Sequence, residues 1–376
     1  MAGIYIHIPF CKCKCHYCNF FSLASQKQKE PFLSAMLKEI DLTKEYLQRE
    51  PVHTIYFGGG TPSLYHPEQL QEIIAALTNI YPLQNNCEIT IEINPEDLTP
   101  EFVGQLKESS FNRFSIGIQS FFDEELNYLG RNHSAEQGLD SIKLLQDKGF
   151  RNISIDLIYG IPGTTPESWQ KNLDLAFALE VPHISCYALT IEQKTPLSWM
   201  INQKKAAPVD DESQTDQLIL LMEKAEGKGF LQYEISNFCK PGHHAIHNTN
   251  YWKGVPYLGL GPSAHSFNRI SRRWNVANLT DYLNGISNGT TVFNEEILTT
   301  NQQYNEYVMT SLRTMWGCRS EKIISDFGMS YFNHFSKNAI PLIDFGLLME
   351  SEGIFLLTAE GKLFADRIAS DLFLTA

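Results

Sequence analysis

The chain has 376 residues, 43% of them hydrophobic and 19% charged, a mix that excludes a disordered tail protein and a coiled coil. Lys and Arg number 30 against 43 Asp and Glu, and the formal charge of −13 argues against nonspecific binding to nucleic-acid phosphates. No apolar run approaches the ~18 residues that span a membrane, and Met1-Ala2-Gly3-Ile4-Tyr5 has no basic segment leading into an apolar one, so a cytoplasmic protein without a secretory signal is expected.

In chain order, Ile4-Tyr5-Ile6-His7-Ile8 is a β-branched run that predicts a strand leading straight into a cysteine cluster. Val52–Phe57 predicts a second strand, ending in Gly58-Gly59-Gly60, and Leu70, Ile73, Ile74, Leu77 and Ile80 then recur at helical spacing. Glu88–Ile93, Arg113–Ile118, Asn152–Ile158 and His183–Ala188 predict four more strands. Between them, Thr99-Pro100-Glu101 and Thr165-Pro166-Glu167 place a capping hydroxyl before a first-turn proline. Ser134 with Gln137 forms a capping-box pattern, and Gly149 supplies the stop. Such alternation predicts an α/β fold with a parallel sheet covered by helices, in which ligands gather at the carboxyl ends of the strands. Those ends hold the cysteines, Gly58 to Thr61, Glu92, Gln119, Asp156 and Tyr187.

Beyond residue 190 the alternation weakens. Asp210–Lys228 predicts a helix and Phe230–Ile235 a strand, whereas 237–275, rich in Gly, Pro, His and aromatics, reads as a long functional loop. From residue 297 the pattern is helices plus a hairpin at Gly353–Leu357, similar to a small winged-helix domain. With six basic and nine acidic residues, that segment is not expected to read DNA.

Of eight cysteines, Cys87, Cys186, Cys239 and Cys318 are scattered and read as small core residues. Cys11, Cys13, Cys15 and Cys18 lie within eight residues, and four thiols so close in a reducing compartment read as a metal site. All four suit one structural zinc ion. Alternatively, Cys11, Cys15 and Cys18 form C-x3-C-x2-C, hold three irons of a [4Fe–4S] cluster and leave the fourth iron open, with Cys13 a bystander. Tyr17, just before the third of these cysteines, and the position at a strand end favour the cluster.

This C-x3-C-x2-C at the end of a first strand resembles the radical S-adenosylmethionine (SAM) superfamily. Ile4 to Cys11, Tyr56 to Ser63, Ile91 to Pro95 and Ile155 to Gly163 resemble its branch containing oxygen-independent coproporphyrinogen III oxidase. The resemblance implies a partial (β/α) barrel of about six parallel strands over residues 1–236. It implies that Cys11, Cys15 and Cys18 carry the cluster, whose open iron chelates SAM and whose electron releases a 5′-deoxyadenosyl radical. Tyr5, Gly59 and Glu92 match positions that contact this SAM, with Tyr17 over the adenine. Gly60, Thr61, Gln119, Arg131, Asp156 and Ala188 match positions that hold a second SAM in the oxidase.

Two departures count against porphyrinogen decarboxylation. Phe20 stands where the oxidase has a further cysteine, and the first strand starts almost at once, without the oxidase's enclosing N-terminal extension. In addition, His247-Asn248-Thr249-Asn250-Tyr251-Trp252 resembles the H-N-x-x-Y-W signature of the HemW family of haem chaperones. That resemblance implies a haem-binding connecting region over 237–296 and a helical C-terminal domain over 297–376. It implies His247 as an axial ligand to haem iron, with Tyr251 and Trp252 as flat faces for the porphyrin. His243, His244 and His265 are other imidazoles that the sequence does not exclude. The leading expectation is a haem carrier that delivers its cargo to haem-dependent respiratory proteins, without oxidase activity. The alternative is the oxidase itself, converting two propionates to vinyls. A carrier of this kind is compatible with a homodimer and with peripheral membrane association, although the sequence holds no amphipathic anchor.

Overall fold

A computed structural model describes residues 1–375. β1 (Ala2–Ile8) is buried at every position but Tyr5. Aliphatic side chains on both faces make this possible, because the strand lies within a sheet covered on both sides. β2 (Val52–Gly59), β3 (Leu83–Ile93), β4 (Arg113–Gln119), β5 (Ile153–Tyr159) and β6 (His183–Ala188) follow it in space as in sequence, each parallel to the last. Helices connect them: Pro67–Ile80 buries Leu70, Ile73, Ile74 and Leu77, the face its spacing predicts. The expected caps form as well, with the Thr99 hydroxyl accepting from the Phe102 N–H and capping boxes closed at Ser134 and Thr165.

The strand expected at Phe230–Ile235 forms, whereas the stretch 237–275, expected as a loop, is instead built into the sheet. β7 (Leu231–Glu234) and β8 (Asn237–Cys239) form a hairpin antiparallel to β6. After the helix Ile246–Trp252, β9 (Tyr257–Leu260) runs parallel to β1, a seventh parallel strand where about six were expected. β10 (His265–Phe267), β11 (Ser271–Asn275) and β12 (Phe293–Ile297) extend this edge antiparallel. These strands are three to five residues long, and their hydrogen bonds come from edges already present, so no local periodicity announces them. The order is linear, from β12 at one end to β7 at the other, as in a partial barrel.

From Thr300 the chain forms a helical C-terminal part with its own core of Tyr304, Val308, Phe335 and Ala369. Its three-stranded sheet joins β13 (Cys318–Arg319) to the predicted hairpin, β14 (Leu348–Ser351) and β15 (Ile354–Leu357), in the order β13-β15-β14. Cys87, Cys186, Cys239 and Cys318 are buried. Among the described residues no helix is long and apolar enough to cross a membrane.

Candidate functional site

The carboxyl ends of β1 to β6 open onto a cavity of about 500 Å³. Cys11, Cys15 and Cys18 line it half-buried, and Cys13 also faces it but is exposed. Their loop is tied down by the Cys11 N–H on the Leu23 carbonyl (3.0 Å) and the His16 N–H on the Leu129 carbonyl (2.9 Å). Burial pushes the Cys11 and Cys18 thiols up, and the neighbouring thiols add to the effect. Among the described residues, no three His, Cys, Asp or Glu side chains converge as they would on a single metal ion. Tyr17 lies in this wall, packed on a small apolar cluster that includes Leu129, Ile158 and Leu197.

Gly59 has φ +106°, and a Cβ there would stand 2.4 Å from the His7 ring; one on Gly60 would stand 2.6 Å from the Phe10 carbonyl oxygen. The chain's own packing at the ends of β1 and β2 therefore requires these glycines. The Gly59 N–H donates to Glu92 Oε2 (3.2 Å) and the Tyr56 hydroxyl to Glu92 Oε1 (2.7 Å). Burial nevertheless raises the Glu92 carboxyl to about 7. Asp156, which accepts from the Ser115 hydroxyl at 3.2 Å, is likewise raised by burial to about 6.

Arg131 organises the opposite wall. Its Nη2 donates to Asn94 Oδ1 and to the Gly117 carbonyl, both at 2.8 Å, and its Nη1 reaches Cys15 Sγ at 3.5 Å. Its buried Nε has no partner among the described residues. Asn94 in turn donates to the Thr61 hydroxyl (3.1 Å). Gln119, at φ +66°, and Ala188 complete this wall. Tyr5 alone of the expected SAM contacts does not line this cavity; it faces a larger one. Asn94, Ser154 and His183 line the cavity without having been anticipated as site residues. Asn94 had a signal in its place directly after Ile91-Glu92-Ile93. His183, whose nitrogens meet the Ser154 hydroxyl (2.6 Å) and the Tyr233 hydroxyl (2.7 Å), had none, being one polar residue in an ordinary strand.

The larger cavity, about 1340 Å³, lies between the sheet and the C-terminal part. His247, Tyr251 and Trp252 all line it. His247 is 2% exposed and stacks on Tyr56 at 5.0 Å. Its Nδ1 meets the Thr54 hydroxyl and its Nε2 the Tyr251 hydroxyl, both at 2.8 Å. Burial lowers its pKa to about 3, which keeps the ring neutral. Trp252 carries the Arg313 guanidinium over its ring at 5.5 Å. Of the other imidazoles considered, His265 faces this cavity, whereas His243 and His244 face neither. The two cavities share the walls formed by Asn19, Phe20, Tyr56, Glu92, Tyr187 and Asn248.

A parallel sheet with three loop thiols at its carboxyl ends is the architecture of a radical SAM protein, and residues 5–176 match the model of that superfamily. Over its length the structure superposes on coproporphyrinogen III oxidase (HemN) of Escherichia coli, described as a radical SAM enzyme, with a TM-score of 0.85. Identity there is 22%, covering 99% of this chain and 90% of the other, and the likeness is one of fold. In sequence the chain is 33% identical to the heme chaperone HemW of Bacillus subtilis over 98% of each chain. It is 31% identical to the heme chaperone HemW of Mycobacterium tuberculosis, over 98% of this chain and 94% of that one. The chain belongs to the HemW family.

Proposed function

We propose that this chain is a haem chaperone that carries a [4Fe–4S] cluster and SAM in the smaller cavity, holds haem in the larger one and passes it to haem-dependent respiratory proteins. The observation that carries the reading is that the two cavities share a wall, so groups bound in them would lie side by side. The donor set fits the cluster: three half-buried thiols around one space, with an exposed fourth. Cys11, Cys15 and Cys18 would hold it, and binding would displace their protons. When bound, a cluster of this kind would supply one-electron chemistry toward the sulfonium of SAM. Arg131 offers a cation and an unpartnered N–H, while Glu92 and Asp156 offer acceptors for the polar groups of SAM. For the haem, His247 is a neutral imidazole whose Nε2 becomes free once the Tyr251 hydroxyl turns away.

The reading is supported by the family and tested by one preparation. Anaerobic reconstitution should yield iron and labile sulfide in the wild-type chain and in Cys13→Ser, and neither in Cys11→Ser, Cys15→Ser or Cys18→Ser. Haem titration should move the Soret band, with weaker affinity in His247→Ala. Protoporphyrinogen formation from coproporphyrinogen under reducing conditions with SAM would reverse the reading in favour of the oxidase.

A further inference from the structure

The larger cavity holds one imidazole that is latched and one that is open. His247 has both nitrogens hydrogen-bonded. His265, at the start of β10, is exposed on the same cavity wall, and neither of its nitrogens has a hydrogen-bond partner among the described residues. We propose that His265 is a second ligand to haem iron, the one available before any side chain moves; this rests on the haem-carrying reading above.

Three features prepare His265 for that role. Its ring lies beside that of Trp274, the residue opposite it across the β10–β11 pair, at 6.1 Å and 23°, a contact that favours one orientation of the imidazole. Its backbone is pinned: the His265 carbonyl oxygen lies so near Gly259 that a Cβ there would come within 2.0 Å, and the Gly259 N–H donates to the Ser266 hydroxyl (2.9 Å). Though exposed to the cavity, its ring is partly desolvated by the groups around it, and this together with the nearby Arg272 lowers its pKa, so a lone pair is free at neutral pH. The same hairpin presents Arg269 and Arg272 to the cavity, guanidinium groups suited to haem propionates. Arg269 already pairs with Glu50 (3.3 Å) and Arg272 with Glu306 and, at 4.0 Å, Glu296, so a propionate would compete with carboxylates of the chain.

Capture then runs in an order set by the hydrogen bonds. The His265 lone pair replaces a solvent ligand on iron, with no electron or proton transferred. His247 follows when Tyr251 releases it, and return of the Tyr251 hydroxyl to His247 favours release of the cargo.

The test uses ferric haem with the full chain, read by absorption and electron paramagnetic resonance. The wild type should give a low-spin, six-coordinate spectrum. His265→Phe, which keeps a ring on Trp274 but has no lone pair, should give a high-spin spectrum and bind haem roughly tenfold more weakly, a loss of one modest interaction. Added imidazole should restore the low-spin spectrum, and His265→Gln guards against a disturbed hairpin. An unchanged spectrum and affinity in both variants would overturn the proposal while leaving the haem-carrying reading intact. Absence of any Soret shift in the wild type would instead remove the reading itself.

Discussion

Glu92 is a carboxyl group held against its preference for charge. In the folded chain burial raises it from 4.5 to about 7, even though Tyr56 and Gly59 both donate to it. The native state therefore holds this proton more tightly than the unfolded state does. Linkage then makes the native state lose stability as pH rises from 4.5 to 7, with the full loss present above 7. Its ceiling is about 3 kcal/mol, reduced by water at the cavity mouth. Glu92→Gln should accordingly raise the Tm of the ligand-free chain at pH 8 and leave it nearly unchanged at pH 4.5. Thermal melts at the two pH values decide it: an equal fall at both would mean that the two donated bonds outweigh the burial of charge. A cationic ligand beside the carboxylate would remove the loss, which gives this cavity wall a bias toward positive groups.

At the scale of elements, another buried carboxylate joins three segments distant in sequence. Glu39, on the helix Lys29–Leu42, is 1% exposed and accepts from the Gly261 N–H, from Asn275 Nδ2 and from the Tyr282 hydroxyl, each at 2.7 Å. It thereby anchors the turn after β9 that leads to His265. Glu39→Ala would leave the Gly261 N–H and the Tyr282 hydroxyl unpaired and Asn275 Nδ2 with only the Gly261 carbonyl (2.8 Å), and should cost about 3 kcal/mol. Denaturant unfolding should show the loss, and hydrogen exchange should speed first in residues 258–276. A loss below ~1 kcal/mol would mean that water replaces the carboxylate. None of this is legible in the sequence, where Glu39 is one charge in a stretch that carries no motif. The strands β1 to β6 were legible because burial on both faces demands unbroken aliphatic runs, and the cysteine loop because thiols at that spacing have few other uses. β8 to β11 were not, because their pairing partners lie far along the chain. The site divided in the same way. Glu92 and Asp156 stand out as charges at the ends of apolar strands, whereas the latch of Tyr251 on His247 depends on how one short helix sits against Thr54 of β2.

The sheet and the C-terminal part have separately packed cores with the larger cavity between them. The seam combines limited apolar packing, Ile235 against the C-terminal core and Leu363 against the sheet core, with polar contacts such as Lys362 Nζ donating to Gln232 Oε1 (2.9 Å). Arg272 of β11 pairs with Glu306 of the helix Thr300–Leu312, the Met315 N–H donates to the Tyr233 carbonyl (2.9 Å), and Lys253 sits over the Trp316 ring at 4.2 Å. A partly exposed ion pair contributes about 1 kcal/mol or less and such a cation–π contact about 0.5–2 kcal/mol. Parting the seam should therefore cost far less than unfolding either core, so opening is a local event and a natural route for a large flat cargo. Trp316→Ala removes both the cation–π contact and part of the cavity wall without touching either core. It should speed hydrogen exchange in residues 231–239 and 312–319 while leaving β1 to β5 and the core around Phe335 protected. Haem bound to this variant should dissociate roughly tenfold faster to an acceptor such as apomyoglobin, the change expected from losing about 1.4 kcal/mol. Faster exchange throughout the C-terminal part would show instead that its core depends on the seam, and an unchanged haem off-rate would place the route of release elsewhere than between the two cores.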